Sequence, residues 1–468
     1  MFLLGIHLEN IPTYSNFNKL IINGKEIENG DKYSFEIGQE YQINNKYYLT
    51  LKQTTTPTLF IEIPQNIYST KHINISKETE YFGNYFTTDE NGEIIQNVSK
   101  LKKLKGRGNS TWELANEIYR KYPLNITLDE ATDFLNMGVN NKKYCLLAQC
   151  MDMTTLRSTL AFEIGNKIEI QEVPKYKIIN LFINGEYNGI YLCSQKIDIG
   201  KNGLILDEPL GKILLEFDFI DRIKEENAFF ITSEGQGITV KYPENISDDE
   251  LNNIESKWNE VEKAVYAEDI DKIQNLLDIE SFVKMYLIEE ISKNCDAGSS
   301  SYYVLFEPED NKWKATPVWD YDLAFGNEHN SKKLINGKYE SPSTYDNFFA
   351  RYKCMTPYSD GPQSVIDKLN FQAKLINNQY IWNNYVKRYW NEKAYLKIAN
   401  LFDENLDGPI EKQYDKIKYD LELNEAHYGF VEPDVPMSVK ENYIVQIHDK
   451  TKSFYNNRIE WINAEMQK

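Results

Sequence analysis

The hydrophobic period of this chain changes near Ser247, and that change restricts its architecture more than any single motif. Before it, short apolar runs alternate with period two between Asn-Gly turns. Thr58-Leu59-Phe60-Ile61-Glu62-Ile63 opens a β-rich stretch that continues through Glu90-Asn91-Gly92 to Lys105, with Leu124 to Leu128 as its partner strand. Tyr176 to Ile183, the turn Asn184-Gly185 and Ile190 to Ser194 read as a hairpin, because Asn-Gly supplies the positive φ of a type I′ turn. Lys212 to Phe217 reads as a further strand. One helix interrupts over 152–168, with Thr154 and Thr155 as caps, Leu156, Leu160 and Ile164 on one face and Gly165 near its end. Residues 1–56 read as a small β module, with alternation at Tyr33, Phe35 and Ile37.

From Ser247 onward the period is helical. Ser247 is an N-cap before three acids, and Leu251, Ile254, Trp258 and Val261 recur at helical spacing. Helices follow over about 280–293, 363–425 and from Ser438 on, broken by the strand pair Tyr302 to Phe306 and Trp313 to Trp319. Strands first and helices afterwards predict an α+β chain rather than a doubly wound sheet.

A net charge of −19 disfavours nucleic acid and anionic membrane as partners, since phosphate backbones are bound through Lys and Arg. A basic protein partner suits it better, while the plainer reading of such a charge is that it keeps the protein soluble. The five cysteines form no C-x-x-C pair, and the five histidines are dispersed, so no zinc site is legible. No run reaches the roughly 18 apolar residues of a membrane span. The opening MFLLGIHLENIP lacks a basic n-region, so no signal peptide is expected in the chain as given, while secreted or surface placement of a longer precursor stays open.

The stretch Lys293 to Asn327 carries the most chemistry. It places Asp296 just past a helix, then a strand hairpin, then Asp320 and Asp322. Phosphoryl transfer needs one carboxylate at the attacking hydroxyl and another on the divalent ion beside the nucleotide phosphates. Protein kinases also carry a metal-binding Asn five positions after the first acid, where this chain has Ser301, a weaker oxygen ligand. The alternatives are that these acids cap turns and helices, or that they act as the paired carboxylates of a glycoside hydrolase.

The segments GRGNSTW (106–112), LLAQCMDMTTLRSTLAFEIG (146–165), LFINGEYNGIYLCSQKI (181–197), ILLEFD (213–218), KNCD and PVWDYDLAFGN (317–327) resemble, in order, the motifs of the CotH kinase family. The resemblance, over roughly residues 57–330, implies an atypical protein-kinase-like, two-lobed fold with a kinase-like N-lobe at 57–220 and a mainly helical C-lobe at 221–468 carrying the acids, after the small β module at 1–56. It implies ATP with magnesium or manganese, and phosphorylation of protein serines or threonines; a Ser-rich acceptor suits that chemistry, and a basic one suits the charge. Carried over, Asp296 handles the acceptor hydroxyl, Asp320 binds metal, and Asp322 and Ser301 are further ligand positions.

The nucleotide-facing residues are harder to place. Arg107, between Gly106 and Gly108, reads as a phosphate contact or as part of a tight turn. Members of the family have a Lys-Lys-Pro stretch where this chain has Arg120-Lys121-Tyr122-Pro123, which makes Lys121 the nucleotide lysine. Glu163 is then its helix partner, Arg157 a phosphate or carboxylate contact and Glu216 a nucleotide-facing acid, with Lys143 and Lys196 in reserve. The altered lysine stretch and Ser301 leave open a pseudokinase or surface adhesion domain.

Overall fold

The computed structural model describes residues 11–12, 20–28, 32–34, 40–43, 47–50, 54–64, 75–327, 333–335, 338–354, 368–406, 408–428 and 437–468. Phe35 and Ile37 of the expected alternation lie outside them, as do residues 1–10 and the expected helical segment over 363–367. The chain is α+β, and its largest sheet is a closed seven-stranded barrel.

The barrel strands are β1 (Thr58–Glu62), β2 (Tyr81–Thr88), β3 (Ile94–Gly106), β4 (Leu124–Asp133), β5 (Asn140–Leu147), β6 (Tyr176–Ile183) and β7 (Glu186–Gln195). Their order is β4-β5-β7-β6-β1-β2-β3, closed by β3 against β4 with Leu124 opposite Gly106. Only β6 and β1 run parallel. Closure removes the free edges that a long polar-faced hairpin such as β2-β3 would expose.

Strands β6 and β7 are apolar on both faces because both faces are covered. Ile179, Leu181, Ile183, Tyr191 and Cys193 fill the barrel with Leu59, Leu104 and Leu124. Ile178, Ile190 and Leu192 join instead the core around helix α1 (Arg157–Lys167). Asn184 and Gly185 take positive φ, 49° and 80°, as the type I′ reading requires.

A five-stranded sheet follows: β8 (Ile213–Phe217), β9 (Phe229–Ile231), β10 (Gly237–Tyr242), β11 (Tyr302–Glu307) and β12 (Lys312–Ala315), in the order β9-β10-β8-β11-β12. Helix α2 (Asp248–Tyr266) starts at a capping box in which the Ser247 hydroxyl accepts from Glu250 N and the Glu250 carboxylate accepts from Ser247 N. Trp258 on this helix is fully buried against Phe217, Trp313 and Phe371. Helix α3 (Ile279–Ser292) is apolar nearly all round and therefore central. Helices α4 (Pro409–Tyr428) and α5 (Met437–Met466) close the C-terminal part.

Three local expectations differ. Helix α1 starts at Arg157, and its N-terminal donor is satisfied by Asp152, whose Oδ2 accepts from Arg157 N at 2.8 Å, rather than by Thr154 or Thr155. The second strand of the 302–319 hairpin ends at Ala315, since Pro317 has no N–H for the ladder. The expected helix over 363–425 is several pieces: Phe371–Asn377, Gln379–Ile381, the wide turns Trp382–Lys387 and Trp390–Ala394, Tyr395–Ile398 and α4.

Candidate functional site

Helix α3 ends at Lys293, whose φ of 48° turns the chain out of the helix. The loop that follows carries Asp296, whose N–H donates to Asn294 Oδ1 at 3.1 Å and whose carbonyl accepts from Ser299 N and Ser300 N. Beyond β12 the chain returns to the same place. Asp320 is exposed, and its Oδ2 accepts from the Ser301 hydroxyl at 3.1 Å. Asn327 Nδ2 ties the segment down, donating to the carbonyls of Asp322 at 2.7 Å and Met151 at 2.6 Å. Phe325 N donates to Ser292 O at 2.8 Å and fastens the turn to the end of α3.

Asp296, Ser301, Asp320 and Asp322 line a single cavity of about 490 Å³, together with Arg107 and Glu216. Its walls come from the barrel on one side and from the five-stranded sheet and the α3 loop on the other, and its size falls in the usual range for small-molecule sites. Arg107 lies 5.7 Å from the centroid of Trp319 and so bridges the two walls.

The acids crowd one another. Burial pushes Asp296 up to about 6, with Lys353 opposing the rise and Asp320 adding to it. Asp322 is held well above the ordinary carboxylate range by burial first and then by Asp320, Asp152 and Asp296. Like charges packed this way favour either a proton or a cation among them. Among the described residues no three His, Cys, Asp or Glu side chains are already gathered at metal-binding spacing. A magnesium site completed by substrate phosphates and water needs only one or two carboxylates from the protein, so Asp320 and Asp322 fit that requirement and a closed structural metal cage does not.

Three expected residues stand elsewhere. Lys121 is buried in the barrel wall, where Nζ donates to Ile190 O at 2.5 Å and lies 4.9 Å from the Tyr191 ring and 5.7 Å from that of Tyr428. Burial there pushes its ammonium down to about 7. Glu163 accepts from the Tyr176 hydroxyl at 2.8 Å and lines a different cleft. Helix partner and lysine are therefore not brought together. Arg157 is buried, is paired with Asp152 at 2.5 Å and does not line the cavity. Of the reserve lysines, Lys196 lines the cavity, and Lys143 pairs with Asp198 at 3.0 Å.

Other residues that the sequence reading does not single out join the site. Asp218 Oδ1 accepts from the Ser300 hydroxyl at 2.7 Å and from Arg222 at 3.4 Å, and Lys241 pairs with Glu216 at 3.2 Å. The i,i+4 spacing of Asp218 and Arg222 is a legible but common signal. Lys353 reaches the Asp296 loop from far along the chain, its ammonium donating to Cys295 O. No local pattern announces it.

No helix among the described residues is long and apolar enough to cross a membrane. No curated protein matches the chain. The model of the CotH kinase protein family matches residues 104–462, a span that includes every acid of the cavity. The chain belongs to the CotH kinase protein family.

Proposed function

We propose that this protein transfers the γ-phosphoryl group of ATP to serine or threonine hydroxyls of a protein acceptor, with magnesium or manganese at Asp320 and Asp322. The observation that carries this is the convergence of Asp296 with Asp320 and Asp322 in one cleft, from opposite sides of the β11-β12 hairpin. In this reading the barrel and the helical part serve as the two lobes of a kinase-like fold, and the nucleotide occupies the cleft between them.

Asp296 orients the acceptor hydroxyl and takes its proton. A carboxylate whose pKa is lifted toward neutrality suits proton acceptance better than an ordinary aspartate. Asp320 and Asp322 hold the metal, which neutralises charge building on the phosphate oxygens. Arg107 and Lys196, which line the cavity, meet the phosphates in this reading. The Ser301 hydroxyl orients the Asp320 carboxylate.

The test uses γ-labelled ATP, a basic Ser-rich acceptor and either metal. Label transfer is expected, lost on Asp296→Ala with nucleotide binding retained, and lost together with metal-dependent nucleotide binding on Asp320→Ala. A folded protein that neither transfers label nor binds nucleotide with metal would overturn the reading. Binding without transfer would support a pseudokinase.

A further inference from the structure

Helix α1 is shared between two cavities. Ser158 and Phe162 face the one that holds Asp296, whereas Glu163 and Asn166 face a second cleft of about 480 Å³ bounded by α1, the start of β6 and the start of α4. Four lysines line this second cleft. Lys175 precedes β6 and Lys177 is its second residue, and Lys412 and Lys416 lie one helical turn apart on the same face of α4. Among the described residues that line the cleft, the carboxylates are Glu163 and Glu90.

Those two are already engaged. Glu163 accepts from Tyr176, and Glu90 lies 3.8 Å from Lys177. Among the described residues neither Lys175 nor Lys416 has a carboxylate within ion-pair distance. In a chain of net charge −19 this local surplus of positive charge runs against the field of the whole molecule. The surplus matches a phosphate monoester, which carries about −1.5 to −2 at neutral pH.

A second feature separates a free phosphate from one borne on a peptide. Gln413 Oε1 is buried in the wall of the cleft with no hydrogen-bond partner among the described residues. It is an acceptor, so an ionised phosphate oxygen cannot satisfy it, but a backbone N–H can. Ile178 and Ile417, which also line the cleft, are nearly fully buried core residues.

We propose that this cleft docks a phosphorylated serine or threonine carried on a peptide segment of a partner protein. The site is separate from the phosphoryl-transfer cavity and does not depend on that activity.

The test is fluorescence anisotropy of a labelled Gly-Ser peptide bearing one phosphoserine, titrated with the full chain without nucleotide. Binding is expected to weaken about tenfold or more when the phosphate is removed. The double variant Lys175→Glu, Lys416→Glu should do the same, and the milder Lys175→Gln, Lys416→Gln pair should weaken binding with an unchanged circular dichroism spectrum. Asp320→Ala should bind the peptide like the parent protein, whatever it does to transfer. The proposal is overturned if the phosphopeptide does not bind, if its affinity ignores the phosphate or the lysine pair, or if inorganic phosphate displaces it at equal concentration.

Discussion

The Ser301 hydroxyl donates to Asp320 Oδ2 at 3.1 Å, joining the two sides of the β11-β12 hairpin. Both residues adopt positive φ, 50° and 69°, a region that costs a non-glycine side chain conformational energy. The pair therefore fixes the direction in which one carboxylate oxygen faces the cavity, at the expense of local backbone strain.

Removing that hydroxyl loosens Asp320. Ser301→Ala should raise the metal concentration for half-maximal nucleotide binding by roughly fivefold, equivalent to about 1 kcal/mol for a hydrogen bond to a charged group at a wet surface. Ser301→Asn should be tolerated, because Asn adopts left-handed backbone more readily and its amide can both donate to Asp320 and ligate. Titration of nucleotide binding against manganese checks both, and an unchanged Ser301→Ala curve would remove the hydroxyl from the site.

Lys121 and Arg107 should separate cleanly. Lys121→Met keeps most of the buried stem and leaves Ile190 O without its donor, so stability should fall by about 1 kcal/mol while nucleotide affinity stays within about twofold. Arg107→Ala, on the cavity wall, should weaken nucleotide binding by about tenfold with little change in stability. Parallel calorimetry and denaturant melts would show the two effects, and a Lys121→Met protein that folds normally yet cannot bind nucleotide would reverse their assignment.

The scaffold behind the α3 loop depends on one buried ion pair. Arg458 on α5 and Glu290 on α3 are fully buried and 2.5 Å apart, and Glu290 also accepts from Phe349 N at 2.6 Å and Arg351 N at 2.8 Å. Arg458→Met strands the carboxylate and should cost about 3–5 kcal/mol in chemical denaturation. A loss below about 1 kcal/mol would mean that the backbone donors alone suffice.

Stability should also fall as pH rises through the acidic range. Burial pushes Glu262 up to about 7 although Thr232 Oγ1 and Glu234 N both donate to it. Between the unfolded value near 4.3 and about 7 the folded state holds a proton that the unfolded state has lost, so unfolding free energy drops by up to about 1.4 kcal/mol per pH unit. Above that window the loss is complete and constant. Glu262→Gln should flatten this slope between pH 5 and 7 in urea melts at stepped pH; an unaltered slope would assign the dependence to other acids.

Much of the local structure was written in the chain itself. Period-two apolarity marked β1, β6 and β11, Asn184-Gly185 marked its turn, and Ser247 with Glu250 marked the start of α2, because each depends on neighbours within a few residues. The acids Asp296, Asp320 and Asp322 were legible for the same reason: a helix end and a hairpin, both local features, bracket them. Closure of β3 on β4, the burial of Lys121 under Tyr428, the arrival of Lys353 at the Asp296 loop and the turning of Glu163 toward a second cleft were decided only by tertiary packing. Which wall a cation ends up in depends on the helix that covers it from far along the chain, and no spacing within a motif records that contact.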